Sequence, residues 1–287
     1  MSLINAEIIA DSINSQNKAR LTTFVLKFPR IVLAEMNTHR MISKNSASSR
    51  AIPFKKMVAM VENEPFIPLA FQKDHSGMQG NEYLEGEQLE MAKKRWLMAR
   101  DSAVHMARCL NEESGVTKQL CNRVLEPFMM HTVIATGTDW ANFFALRAHP
   151  AAEIHIADLA HKMLKAYNES EPRHLTTGEW HIPFGDKFDD SRLVGRTMDS
   201  SKKELEELKV KIATARCARV SYMNFEGKDD YDADFKLHDI LASQGHWSPF
   251  EHCAMANNFD GYVGNFKGFK QYRKLFDGEN KSDSRIK

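Results

Sequence analysis

The 287-residue sequence has no glycine-rich phosphate loop. Neither GxGxxG nor GxxxxGK(S/T) occurs, so a Rossmann or P-loop mode of nucleotide binding loses its sequence support. Cysteine is scarce: Cys109, Cys121, Cys217 and Cys253 are far apart, with no CxxC pair. That scatter excludes a disulfide framework and points to buried thiols in a reducing compartment. His246 and His252 lack zinc-helix spacing and have no cysteine cluster beside them, so no metal site is expected. No stretch approaches 18 consecutive apolar residues, and a membrane span is not expected. The N-terminal MSLINAEIIADSINSQNK lacks the unbroken apolar core of a signal peptide, which makes a cytoplasmic location the expectation. Excess charge of one sign is also missing: 39 Lys and Arg face 38 Asp and Glu, for a net charge of +1. A general nucleic-acid binder neutralises phosphates with a basic surface, so no nucleic-acid partner is expected. One small anion held by a few arginines remains compatible.

What is present is an alternation of strand and helix signals. Residues 4–11 and 20–28 are rich in β-branched and aromatic side chains and read as strands around a polar turn. Pro29 opens a short helical pattern, RIVLAEMNTHR, which SKNSASSR interrupts. Apolar residues at helical spacing predict the longest helix over 85–111, and further helices over 150–168, 202–217 and 231–243. The stretch 169–200 reads as loop with short strands. Together these give an α/β (α+β) fold: a mixed sheet with long helices. The expected organisation is one catalytic domain over 1–276, with a lineage-specific helical region at 54–111, and a solvated tail at 277–287.

The run Thr38–Arg50, THRMISKNSASSR, crowds His39, Arg40, Lys44 and Arg50 among small hydroxyl and amide residues. Small residues let a backbone approach a ligand closely, and guanidinium groups bind anions in bidentate fashion. The run resembles the signature of flavin-dependent thymidylate synthases: Arg-His-Arg, then Ser after seven residues, with an Asn midway and an Arg two positions beyond the Ser. His39, Arg40, Asn45, Ser48 and Arg50 stand at those spacings, and Lys27 and Pro29 match the family's Lys-x-Pro approach. RVLEPFMMHT (123–132) resembles a second family segment. NFFALRAHPAAEIHI (142–156) resembles a third through Asn142, Arg147, Ala152 and Ile156. ARVSY (218–222) and GHWSPFEH (245–252) resemble two more. In the familiar enzymes these last two precede the Arg-His-Arg motif. Here they follow it by about 170 residues and more, the order of a circular permutation.

The resemblance implies a reaction that converts dUMP to dTMP with FAD, taking carbon from methylenetetrahydrofolate and reducing power from NADPH. It also implies a homotetramer with shared active sites. His39 and Arg40 would contact FAD, supported by Asn45, Asn142 and Ser221. Ser48, Ser49, Arg50, Arg123 and Arg147 would hold dUMP, and His252 would sit beside flavin and folate. Catalysis would fall to His39, Arg40, Arg50 and His252. Thr38 replaces the family's first Arg and Glu35 a Gln. About twenty residues after His252, Gln271 and Arg273 offer an amide and a guanidinium that would restore those donors to the substrate site. Two alternatives stay open. One is a relative acting on another pyrimidine nucleotide such as dCMP, or leaving a hydroxymethyl product. The other is a non-catalytic nucleotide- or RNA-binding module.

Overall fold

The computed structural model describes residues 3–77, 80, 82–196, 201–220 and 229–279. In chain order the strands and helices are β1 (Asn5–Asn14), β2 (Arg20–Pro29), α1 (Leu33–Asn37), β3 (Ser43–Ser46), α2 (Phe54–Asn63), α3 (Gly86–Arg108), α4 (Lys118–Val124), β4 (Met130–Gly137), α5 (Ala141–Arg147) and α6 (Ile154–Glu169). There follow β5 (Arg173–Leu175), β6 (Trp180–His181), α7 (Ser191–Val194), α8 (Lys202–Arg219), α9 (Tyr231–Ser243), β7 (Ala254–Ala256), β8 (Tyr262–Val263), β9 (Phe266–Lys267) and β10 (Phe269–Gln271). The main sheet has the order β3-β4-β2-β1-β5 and is mixed, because β5 alone runs parallel to its neighbour. The α/β expectation therefore holds.

Strand β2 is central and buried along most of its length, so each face of the sheet is covered. Phe24, Leu26 and Phe28 point to one face, where Phe143 and Phe144 of α5 and Ile156, Leu159 and Met163 of α6 cover them. Glu153 caps α6 by accepting from the amides of His155 and Ile156, which starts the helix at 154 rather than at the expected 150. On the opposite face Ile134 meets Val210, Ala213 and Cys217 of α8, together with Trp180 and Phe184. Ser201 and Asp230 cap α8 and α9. A third core joins α2, α3 and α4 through Met57, Val61, Val104 and Cys121.

Two details set up the site. A bulge between Ile8 and Ala10 shifts the alternation of β1, so that Ser12 faces the α8 side. The hairpin turn after β1 is clasped by the C-terminal segment: the buried Asn14 amide donates to the carbonyls of Asn257 and Gly268, both at 2.8 Å. Gly268 has φ +70°, and a Cβ there would lie 2.5 Å from the Asn17 side chain.

The structure adds to the sequence reading at three places. SKNSASSR is not an interruption alone, for Ser43–Ser46 form the edge strand β3, paired in register from Ser43↔Thr136 to Ser46↔Val133. Backbone pairing makes this strand despite its polar side chains. Strand β4, unforeseen, lies between β3 and β2 and is buried from Val133 to Gly137. Pro29 closes β2 and is also the N-cap of a helical turn, Arg30–Val32, that leads directly into α1.

Candidate active site

His39 ends the short helical stretch that follows β2. Its ring meets Phe143 edge-on at 4.9 Å between centroids, and its Nε2 accepts from Arg147 Nε at 3.0 Å. Arginine only donates, so the His39 proton sits on Nδ1. Arg147 also reaches Thr38 Oγ1 at 3.2 Å, and Lys44 Nζ donates to the His39 carbonyl at 2.6 Å. Burial, then the cations of Arg147 and Lys44, hold the His39 pKa below its ordinary value. Burial also lowers Lys44 to about 8, with Glu251 acting in the opposite direction. The first and third matched segments thus meet in one ion-rich contact. Glu153 is spent on the α6 cap and His155.

Asn45 joins two more segments. Its amide donates to the Cys217 carbonyl near the end of α8 at 2.7 Å and accepts from Ser248 Oγ of GHWSPFEH at 3.4 Å. The N-terminal motif is therefore packed against both C-terminal blocks, whatever their order along the chain. Seven residues of GHWSPFEH precede His252, which is fully buried and bonded through Nδ1 to Thr136 Oγ1 at 2.8 Å. Burial alone pushes His252 down to about 3. Its Nε2 has no hydrogen-bond partner among the described residues.

Other expected residues divide between engaged and unengaged groups. Ser49 is buried and gives its hydroxyl to Glu126, while its carbonyl accepts from Asn122 at 2.7 Å. That contact draws α4, and with it Arg123, to the turn carrying Arg50. Ser48 is half-buried. Arg40, Arg50, Arg123 and Asn142 are exposed, and no carboxylate among the described residues pairs with the three arginines. Gln271 is buried and donates to Ser43 Oγ at 3.1 Å and to Asn265 Oδ1 at 2.8 Å, which places β10 against β3. Arg273 is held by Glu251 and Glu279. Its guanidinium is committed to carboxylates within this chain, so it does not stand in for the missing Arg at Thr38 in this arrangement. Ser221 lies outside the described residues.

A cavity of about 490 Å³, unforeseen from sequence, is lined by Lys27, Met130, Thr132 and Val220, with Val25 and Met60. Its size suits a small-molecule site. Lys27 belongs to the Lys-x-Pro approach, Met130 and Thr132 to the second matched segment, and Val220 to ARVSY. Strand alternation puts Lys27 and Thr132 side by side on the α8 face, a signal that needed the β2–β4 register to be read.

Thiol chemistry is not supported. Burial raises the Cys253 thiol to about 12, against an opposing hydrogen bond from Thr214, and burial raises Cys217 well above its usual value. Neither supplies a thiolate near neutral pH. Replacing all four cysteines by Ala or Ser is expected to leave most turnover in the folded protein. Loss of chemistry from a single replacement, with folding and ligand binding intact, would contradict this.

Among the described residues no helix is long and apolar enough to cross a membrane, and no cluster of His, Cys, Asp or Glu could hold a metal ion. No curated protein matches the chain. Solved structures similar to it include a UMP/dUMP methylase PolB from Streptomyces cacaoi bound with 5-Br UMP. That chain is 17% identical, with 59% of this chain and 90% of that one covered at a TM-score of 0.48. The same enzyme with 5-Br dUMP gives 17%, 59%, 91% and 0.47. Thymidylate Synthase X (ThyX) from Helicobacter pylori with FAD and dUMP gives 21%, 51%, 67% and 0.35. Residues 10–173 match the family described as thymidylate synthase complementing protein, a span holding the Thr38–Arg50, 123–132 and 142–156 segments. The chain belongs to that family, the flavin-dependent thymidylate synthases, and is a flavin-dependent methyltransferase.

Proposed function

We propose that the protein methylates dUMP to dTMP, using bound FAD, methylenetetrahydrofolate as carbon donor and NADPH as reductant. The observation that carries this reading is the buried Asn45 amide, which ties β3 to the end of α8 and to the GHWSPFEH turn. Segments separated by up to 203 residues are thereby held in one place.

The chain's own groups fit an anionic nucleotide and a planar cofactor. Arg40, Arg50 and Arg123 are exposed cations without a carboxylate among the described residues, which suits them to phosphate. His252 presents a buried Nε2 with no partner among those residues. Bound flavin would supply the redox chemistry. His39, kept neutral by burial and by Arg147, would orient it through the ring proton on Nδ1. Asn45, Asn142 and Ser221 would support the cofactor, and Ser48, Ser49, Arg50, Arg123 and Arg147 the nucleotide. Exposure of the three arginines on one copy is compatible with active sites shared in a homotetramer in the cytoplasm.

The purified protein is expected to be yellow with FAD and to form dTMP from dUMP. A colourless protein that stays so with added FAD would sink the reading. Product masses with dUMP, UMP and dCMP distinguish it from action on another pyrimidine. His39→Ala, Arg40→Ala and Arg50→Ala are each expected to lower turnover tenfold or more, as for losing about 1.5–3 kcal/mol of charge-assisted hydrogen bonding. Full activity in all three folded variants would remove the site assignment.

A further inference from the structure

Behind His252 runs a single file of buried hydrogen bonds. Thr136 Oγ1 contacts His252 Nδ1 at 2.8 Å and Thr23 Oγ1 at 2.8 Å. Thr23 Oγ1 contacts His181 Nε2 at 2.8 Å, and His181 Nδ1 contacts Ser12 Oγ at 2.9 Å. Thr23, Thr136, His181 and His252 are fully buried, and Ser12 is 3% exposed. Strand register explains the file: Thr23 and Thr136 are paired residues of β2 and β4, and the bulge in β1 turns Ser12 to the same face. Ser12 also lines a second cavity, about 140 Å³, with Asp11, Arg173, Asp186, Glu206 and Lys209. The file therefore links the partnerless nitrogen of His252 to a charged cavity.

We propose that this file is a proton relay carrying the proton released in pyrimidine methylation from His252 Nε2 to the Ser12 cavity. The proposal rests on the reading of His252 as a residue beside the substrates. Replacing C5–H by C5–CH₃ on a pyrimidine releases one proton. In one polarity every group donates outward: His252 Nδ1–H to Thr136, Thr136 to Thr23, Thr23 to His181 Nε2, His181 Nδ1–H to Ser12. His252 Nε2 is then a bare lone pair. When a proton binds there, the Nδ1 proton passes to Thr136, and each hydroxyl or ring hands its own proton onward. The Ser12 proton leaves to water or to the Glu206 carboxylate. Five N–H or O–H bonds form and five break, one proton has crossed, and no member is left charged. The first polarity returns when the His252 Nε2 proton passes to the folate amine freed by carbon transfer: Ser12 regains a proton from water, each hydroxyl and ring hands one back along the same bonds, and both rings become Nδ1–H again.

Both imidazoles are held neutral, as the relay requires: burial lowers each to about 3, with Arg173 and His252 adding to the effect on His181. A wire needs a common polarity from end to end, and the geometry of the file provides for one. In either polarity His181 and His252 carry the same tautomer, both Nδ1–H or both Nε2–H. Opposite tautomers would leave a buried hydroxyl proton unpaired, or two hydroxyl lone pairs facing each other.

Ring-¹⁵N histidine NMR of the full chain reads this without any turnover. The same tautomer at His181 and His252 is expected, and opposite tautomers would overturn the relay. In the loaded enzyme, Thr23→Val and Thr136→Val are expected to lower kcat at least tenfold and to change the solvent deuterium isotope effect, with FAD affinity within twofold. Thr23→Ser, which keeps the hydroxyl, is expected to recover most of the Thr23→Val loss. Valine variants that fold, bind FAD and turn over at the wild-type rate would overturn the proposal. If wild-type protein makes no methylated pyrimidine, the functional reading fails on its own, whereas opposite tautomers in the NMR overturn the file independently of turnover.

Discussion

Lowering the pH from 7 to 5 is expected to remove roughly 6 kcal/mol of folding stability. His131, His181 and His252 are buried, and burial holds each of them down to about 3, helped at His131 by the Arg30 guanidinium. Their bonding requires neutral rings: Arg30 donates to His131 Nε2 at 3.0 Å, and the other two sit among hydroxyls. In the unfolded chain each would bind a proton near 6.5. Between 6.5 and 3 the unfolded state therefore holds more protons, so stability falls as pH falls. Each ring costs roughly 1.4 kcal/mol per pH unit in that window, and the three together roughly 6 kcal/mol by pH 5. Domains are typically stable by about 5–15 kcal/mol, so unfolding should follow near pH 4–5. Urea melts at pH 7 and pH 5 check this, and equal midpoints would show that these rings are protonated in the native state.

Asp234→Ala is expected to destabilise the protein by about 3–5 kcal/mol, the cost of breaking a buried ion pair. The Asp234 carboxylate is fully buried and pairs with Arg216 and Arg219, themselves 19% and 16% exposed. Burial raises its pKa despite the two arginines, so both cations are needed to keep it charged. Arg216 retains Asp229 in the variant and also stacks on Phe188, which places the loss toward the lower end of that range. Calorimetry should show a fall in Tm on the order of 10 °C. Because Arg219 belongs to ARVSY, flavin affinity should fall with it. A Tm within about 2 °C of wild type, beside a typical shift of about 2–4 °C per kcal/mol, would mean the triad contributes nothing net.

Much of the frame was legible in the sequence because local signals agreed with tertiary demands. Strands β1 and β2 show β-branched runs around a polar turn, and α8 and α9 begin at Ser201 and Asp230, side chains that cap them. Strand β3 was hidden because its four residues are all polar. Its place comes from pairing with β4, and Gln271 satisfies Ser43 from 228 residues away. The C-terminal strands span two or three residues, too few to show a period. At the site, the motif spacing picked out His39 and Arg147 separately, but not the bond between them across 108 residues. The arginine was assigned to the nucleotide, and the structure gives it first to a histidine ring. Ser12, Thr23, Thr136 and His181 read as ordinary strand residues, since only register and the β1 bulge align them.

The clasp of Asn14 on Asn257 and Gly268 has a consequence during synthesis. Its two bonds span 243 and 254 residues, so Asn14 is synthesised long before the carbonyls it will bind. At translation rates of about 5–20 residues per second, its amide waits on the order of ten to fifty seconds for its acceptors to be made. Strands β1 and β2 can pair early, but the end of their hairpin carries a polar side chain whose burial must come late. The nascent chain therefore holds an open end on its central sheet until residue 268 has cleared the exit tunnel.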